Sequence, residues 1–290
     1  MGRATPPRVR NAARGARRSV ARATAGSRTL PDALVIGTQR GGTTTLYHYL
    51  VQHPQFLGAV ADKEVHHFDL RGDQDLASYR AAFPRLRTVR RRERQAGGPV
   101  VVGEATPYYL FHPAVPTRVA AALPDVRLVA ILRDPVDRAW SHYRHEIDLG
   151  YETLSFEDAL ACEEERLAGE QERLRADPRA VSFAHQHHSY AARGRYLEQL
   201  ERWWAAFPRD RLLLVRSEDL HADPVATFGA ITAHLGIRDW QPPAWRTYNA
   251  STSTGMAADT RRRLRDAFRG WNERLGAATG RDWAWDGHDT

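Results

Sequence analysis

The chain has 290 residues, 42% of them hydrophobic, and carries 42 Lys plus Arg against 35 Asp plus Glu, a globular composition with room for one large core or two modest ones. Its longest apolar runs, such as 128–132, are about five residues, far short of the ~18 needed to span a bilayer, and its one cysteine, Cys162, can neither close an internal disulfide nor build a thiolate metal cage. A membrane-spanning helix and a disulfide scaffold are therefore excluded, and a reducing cytoplasmic location fits the cysteine usage.

The net charge of +7 is unevenly placed. Residues 1–30 hold eight arginines and no acid, which leaves 34 basic against 35 acidic residues in the rest of the chain. The basic character belongs to a tail, expected over 1–29, with no apolar period that could bury a face and no apolar core of a secretory signal. Its composition reads as a solvated disordered extension, with an organelle transit segment as the alternative. One domain is expected over 30–290. Of the 42 basic residues 41 are arginine, and the single lysine is Lys63.

In chain order, 33–36 is a short β-branched and apolar run closed by Gly37, followed by a Gly/Thr loop and then the helical spacing of Leu46, Tyr49 and Leu50. Helices are expected at 76–83, 116–123, 136–147, 156–174, 196–207, 225–235 and 260–275. Strands are expected at 100–102, 128–132 and 212–215. The strand runs lack strict alternation, which suits parallel strands covered on both faces. Strands separated by helices predict a three-layer α/β/α domain around a central parallel sheet. Residues 85–94, with six arginines and one glutamate before Gly97, Gly98 and Pro99, read as a mobile surface loop. Residues 176–195, with His185, His187, His188 and Gly194, read as a flexible connection near a site.

The loop from Gly37 to Thr45 follows a strand and opens a helix, which is the setting of a phosphate site: glycines let successive N–H groups converge on an anion at the positive end of the helix. Compared with a nucleotide-binding P-loop, Gly37, Gly42 and Thr44 fit, but Thr43 stands where the phosphate-gripping lysine belongs and the positive charge has moved to Arg40. A P-loop kinase, which needs magnesium and favours that lysine, is one alternative. A nucleic-acid-binding module relying on the basic tail and on 85–94 is another.

Gln39-Arg40-Gly41-Gly42-Thr43-Thr44-Thr45 with His53-Pro54 resembles the 5′-phosphosulfate loop of sulfotransferases that use 3′-phosphoadenosine 5′-phosphosulfate (PAPS). Lys63-Glu64-Val65-His66-His67-Phe68-Asp69 resembles the catalytic stretch of the heparan sulfate branch, and Gly103-Glu104-Ala105-Thr106-Pro107-Tyr108-Tyr109 its next strand and turn. Leu132-Arg133-Asp134-Pro135 with Arg138 and Ser141 is similar to its 3′-phosphate motif, and Gly194-Arg195-Tyr196 through Phe207-Pro208 continues the match. The likeness covers roughly 30–237.

The resemblance implies a P-loop-like fold and a PAPS co-substrate leaving as adenosine 3′,5′-bisphosphate. Gln39, Arg40, Gly41, Gly42, Thr43, Thr44 and Thr45 would hold its 5′ end, and Arg133 and Ser141 its 3′-phosphate. Tyr196 or Arg195 would stand on the adenine side. It implies Glu64 as the base that takes the acceptor proton, Arg40 as electrostatic support, Lys63 flanking the base, and His66 or Asp69 contacting the acceptor or orienting the base. If 63–64 is extended, Lys63 and Glu64 point to opposite faces. The acceptor would be a hydroxyl or amine of a carbohydrate, glycolipid or small molecule. No metal is expected, because the histidine pairs show no zinc spacing and lack a cysteine partner. No nucleic-acid partner is expected, and the oligomeric state stays open.

The sequence departs from that branch in three places. Ala105 replaces a frequent lysine, the late disulfide hairpin is missing, and the late Lys-Gly-Arg segment has no counterpart, although Ser253-Thr254-Gly255 stands nearby. Trp203 and Trp204 keep helical spacing with Leu200 and Phe207, which points to packing rather than a sugar platform.

Overall fold

The computed structural model describes residues 22–60, 62–246 and 255–285. Strand β1 (Ala33–Gly37) leads through the glycine loop into helix α1 (Thr43–Gln52) and then to a short strand β2 (Phe56–Gly58). Helices α2 (Leu76–Arg80) and α3 (Leu86–Ala96) precede β3 (Val101–Ala105), and α4 (Val115–Ala122) precedes β4 (Arg127–Leu132). The long α5 (Pro135–Leu149) is followed by α6 (Phe156–Ala161), α7 (Glu163–Leu167), α8 (Glu170–Ala176), α9 (Phe183–His187) and α10 (Tyr196–Ala206). Strand β5 (Leu212–Arg216), α11 (Ser217–Ala222), α12 (Pro224–Leu235) and α13 (Ala258–Thr279) complete the described chain.

The five strands pair only in parallel, in the order β2-β3-β1-β4-β5. Successive residues of β1 point to opposite faces: Leu34 and Ile36 enter one core with Val102, Leu128 and Ala130, while Ala33 and Val35 enter the other with Leu46, Leu50 and Ile131. Both faces are covered by helices, which explains the unbroken apolar strand runs and confirms the three-layer α/β/α arrangement with a parallel sheet. In this order the chain leaves central β1 for β2 and β3 on one side and for β4 and β5 on the other, so the crevice outside the strand ends opens beside β1. No described helix is long and apolar enough to cross a membrane.

Three expectations need correction, and one short strand adds to those expected. Residues 85–94 are not a loop: Arg85 caps helix α3, and Gly97, at φ 69, ends it. Between 86 and 96 there is no glycine or proline, Arg, Glu, Gln and Ala favour helix, and Val89 and Ala96 give the helix an anchored side. The glycines read as loop punctuation are the helix stop. The single helix expected over 156–174 is three short ones, broken at Cys162 and again at Gly169, whose φ is 73. The stretch 176–195 is packed rather than loose, with His185, Ser189, Tyr190 and Arg193 all buried. Strand β2, three residues long, carried too little pattern to be read.

The end of the basic segment is also placed. Ala25 is buried, and Arg28 pairs with Arg85 and donates 2.7 Å to the Phe83 carbonyl. Residues 1–21, most of the expected tail, lie outside the described residues, as do Ser253 and Thr254.

Candidate active site

The glycine loop is shaped by contact with β4. A β-carbon at Gly41 would meet Thr38 Cγ2 at 2.6 Å and the Ile131 carbonyl oxygen at 2.8 Å, so only glycine lets the backbone pass there. Gly42 caps α1 at φ 101, and Arg40 itself sits at φ 67, a left-handed conformation that costs a non-glycine residue energy and is characteristic of binding loops. The first amides of α1, from Thr43 onward, have no carbonyl one turn back within the helix, and they stand at its positive end.

These residues form one wall of a cavity of about 290 Å³. Gln39, Arg40, Gly42, Thr43 and Thr44 line the loop side; Lys63, Glu64 and His66 stand opposite; Pro107, Tyr108, His145 and Gln186 close the rest. The amino group of Lys63 lies 3.0 Å from Thr44 Oγ1, 3.4 Å from Thr43 Oγ1 and 3.1 Å from Glu64 Oε1. The condition under which Lys63 and Glu64 would point to opposite faces is not met, because 62–67 is irregular rather than a strand. His66, held at φ 52, turns the chain so that its Nε2 is 3.2 Å from Glu64 Oε2 and its Nδ1 2.7 Å from Asp69 Oδ2.

Protonation follows from these contacts. Burial pulls the His66 pKa down, but the carboxylates of Asp69 and Glu64 on either side outweigh it and raise it to about 10. The ring is therefore an imidazolium at neutral pH and donates from both nitrogens. Burial pushes Glu64 up, yet the His66 hydrogen bond and the charges of Lys63 and His66 outweigh that and hold it below the usual carboxyl value. Glu64 is thus ionised and able to accept a proton.

A second, fully buried carboxylate supports this segment from the sheet. Glu104, on β3, accepts the Val65 amide at 3.1 Å, the Thr106 hydroxyl at 2.6 Å and the Tyr79 hydroxyl at 2.6 Å. Tyr109 donates 3.2 Å to the same carboxylate and accepts the His67 amide at 3.1 Å. The backbone on both sides of His66 is thereby pinned.

On the loop side, Arg40 Nε donates 2.9 Å to Ser141 Oγ, and Arg133 donates 3.3 Å to the Arg40 carbonyl. Burial, then the Arg133 charge, lower the Arg40 pKa. Tyr196, expected on the adenine side, is instead a core residue, 1% exposed, whose hydroxyl donates 2.7 Å to the Arg133 carbonyl. Arg195 lies over the Trp271 ring, and Trp203 is buried against Phe207. Thr45 is buried behind the loop rather than on the cavity wall.

Sequence reasoning gave no role to His145, Gln186 or Arg193. His145 is one turn beyond Ser141 on α5, a spacing that could have marked it. Gln186 had no signal. Arg193 is buried, donates to Gln39 Oε1, to Ser189 Oγ at 2.6 Å and to the His185 carbonyl at 2.9 Å, and lies 5.0 Å over the rings of Tyr108 and Phe111. Burial lowers its pKa to about 10, leaving it a cation that fixes three parts of the cavity wall. Among the described residues no group of three or more His, Cys, Asp or Glu is arranged to hold a metal ion.

A sulfotransferase domain family model matches residues 30–242. Over 286 residues the chain is 28% identical to heparan sulfate glucosamine 3-O-sulfotransferase 3A1 of Mus musculus, a match covering 90% of this chain and 66% of that protein. It is 30% identical over 214 residues to bifunctional heparan sulfate N-deacetylase/N-sulfotransferase 3 of Homo sapiens, covering 72% of this chain and 22% of that one. Each match spans less than two thirds of the relative's own length. A solved sulfotransferase from Alicyclobacillus acidocaldarius superimposes with a TM-score of 0.66 at 31% identity, covering 89% of this chain and 99% of that one.

Proposed function

The chain belongs to the sulfotransferase domain family, and from that premise we propose that it moves the sulfuryl group of PAPS to a hydroxyl or amine of a carbohydrate, glycolipid or small-molecule acceptor. The observation that carries this reading is the meeting of loop and base in one cavity, with the Lys63 ammonium 3.0 Å from Thr44 Oγ1 and 3.1 Å from the Glu64 carboxylate.

In the proposed reaction the acceptor oxygen attacks sulfur as its proton passes to Glu64. The bond from sulfur to the 5′-phosphate oxygen breaks in line, and its electron pair stays on the departing adenosine 3′,5′-bisphosphate. The protein's task is alignment and charge compensation rather than covalent chemistry. Loop amides and the Thr43 and Thr44 hydroxyls would bind the 5′-phosphate. Arg40, which keeps its proton, would stabilise charge on the leaving oxygen, and Lys63 supplies at Thr43 and Thr44 the ammonium that the loop itself lacks. It also stands in for the cation missing at Ala105. Protonated His66 would orient Glu64, with Asp69 fixing the ring. Ser141 and Arg133 would receive the 3′-phosphate, the Ser141 hydroxyl being able to donate to it while accepting from Arg40.

Calorimetry with adenosine 3′,5′-bisphosphate tests the cofactor, with micromolar binding expected and no binding at millimolar concentration overturning it. Sulfuryl transfer from PAPS in the presence of a metal chelator separates this reading from a magnesium-dependent kinase.

A further inference from the structure

The wall of the cavity continues outward onto an apolar surface. On α5 the cavity-lining His145 is followed one turn later, on the same face, by Leu149; on α9 the cavity-lining Gln186 is preceded one turn earlier, on the same face, by Phe183. Leu149 and Phe183 are each 50% exposed, and with Tyr151 at 45% and Val181 at 50% they make up half of the large hydrophobic side chains exposed among the described residues. Singly such residues mean little, but four on two neighbouring segments form a patch.

The patch is built rather than incidental. Tyr151 and Phe183 meet edge to face at 5.4 Å, and both rings rest on His187, at 4.7 and 4.5 Å. His187 is in turn fixed by a 2.9 Å hydrogen bond to the buried Glu146 carboxylate. Charge on the patch is mixed: exposed Asp148 stands beside Leu149, and Arg173 donates 3.0 Å to the Val181 carbonyl, so the apolar side chains are what distinguish this stretch of the rim.

We propose that the acceptor hydroxyl is carried by a small amphipathic molecule whose apolar ring or alkyl chain lies on Tyr151 and Phe183 while its hydroxyl reaches Glu64. The inference rests on the sulfuryl-transfer reading and narrows its acceptor class: the rest of any molecule entering the cavity must leave by its rim, and this part of the rim is apolar.

The test uses the full chain saturated with adenosine 3′,5′-bisphosphate and two probes, methyl and octyl β-glucoside, the latter below its micelle concentration. Octyl β-glucoside is expected to bind at least tenfold more tightly than the methyl compound. In the double variant Tyr151→Ser, Phe183→Ser that gain should disappear, with the bisphosphate affinity unchanged within twofold. A gain under twofold, a gain that survives in the variant, or tighter binding of an unsulfated uronate-bearing hexasaccharide than of the octyl glucoside overturns the inference and leaves the transfer reading intact. If the wild type does not bind the bisphosphate, both fall.

Discussion

The ammonium of Lys63, the chain's only lysine, stands 3.1 Å from Glu64 Oε1 and 3.0 Å from Thr44 Oγ1, so one cation bridges the proposed base and the glycine loop. Arginine cannot replace it there without displacing one partner, because its planar fork is longer and wider than an ammonium. Lys63→Met is expected to lower kcat by about a hundredfold, the cost of losing one positioned donor to developing charge. Lys63→Arg should recover only a small part. Steady-state kinetics with PAPS as the varied substrate reads the effect, and near-wild-type turnover in Lys63→Met would remove the lysine from the reaction.

Glu64→Gln keeps the shape of the side chain and its acceptor oxygen toward Lys63 but takes away the proton-accepting carboxylate. Loss of a general base is expected to lower kcat by about a thousandfold. Because the proposed role of Glu64 is toward the acceptor and not the donor, affinity for adenosine 3′,5′-bisphosphate should stay within a few-fold of wild type. Turnover and calorimetry on the same preparation separate the two, and equal losses in both would show that Glu64 acts through the donor instead.

His66 makes stability depend on pH in a defined direction. Its folded pKa of about 10 stands above the ~6.5 of an unfolded histidine, so the folded state holds a proton that the unfolded state gives up. The stability this contributes is fully present below about pH 6.5 and is lost as pH rises through about 10. His66→Gln should therefore destabilise most near pH 6, and the gap to wild type should shrink steadily toward pH 10. Urea unfolding at pH 6, 8 and 10 measures it; a gap that widens with pH would contradict the two-carboxylate clamp.

How much of this was legible in the sequence depended on whether the signal was local. The loop from Gly37 to Thr45 could be read directly, because a strand, glycines and a helix start must be consecutive to make an anion site. The apolar faces of β1 and β4 were equally readable as strands covered on both sides. Arg193 and Glu104 were not, since a buried charge looks like a surface charge until its partners, Gln39 or Tyr79, are brought in from distant segments. The motif around Tyr196 suggests a ligand contact, whereas its position on α10 sends the ring into the core. Helix α3 is hidden for a different reason: a run of arginines suggests solvent, although arginine itself favours helix.

Glu104 is the residue on which the proposed base's position depends most. Its carboxylate and the Tyr109 hydroxyl together hold the amides of Val65 and His67, on either side of the strained turn at His66. Burial raises its pKa to about 6, although the hydroxyls of Thr106 and Tyr79 pull it down. A carboxyl raised above its unfolded value is stabilised in its protonated form, so wild-type stability should fall as pH rises from about 4.5 to about 6 and then level off, a dependence that Glu104→Gln lacks. Glu104→Ala, which strands the buried Tyr79, Tyr109 and Thr106 hydroxyls without their acceptor, should destabilise by about 3 kcal/mol or more. Glu104→Gln keeps the volume and one acceptor but cannot satisfy both sides. It should lower kcat by about tenfold through displacement of Glu64 while KM for PAPS changes little, since small misplacements near a reacting centre are costly in rate. A parallel fall in kcat and donor affinity would instead place Glu104 in the general scaffold of the loop, with no particular part in aiming the base.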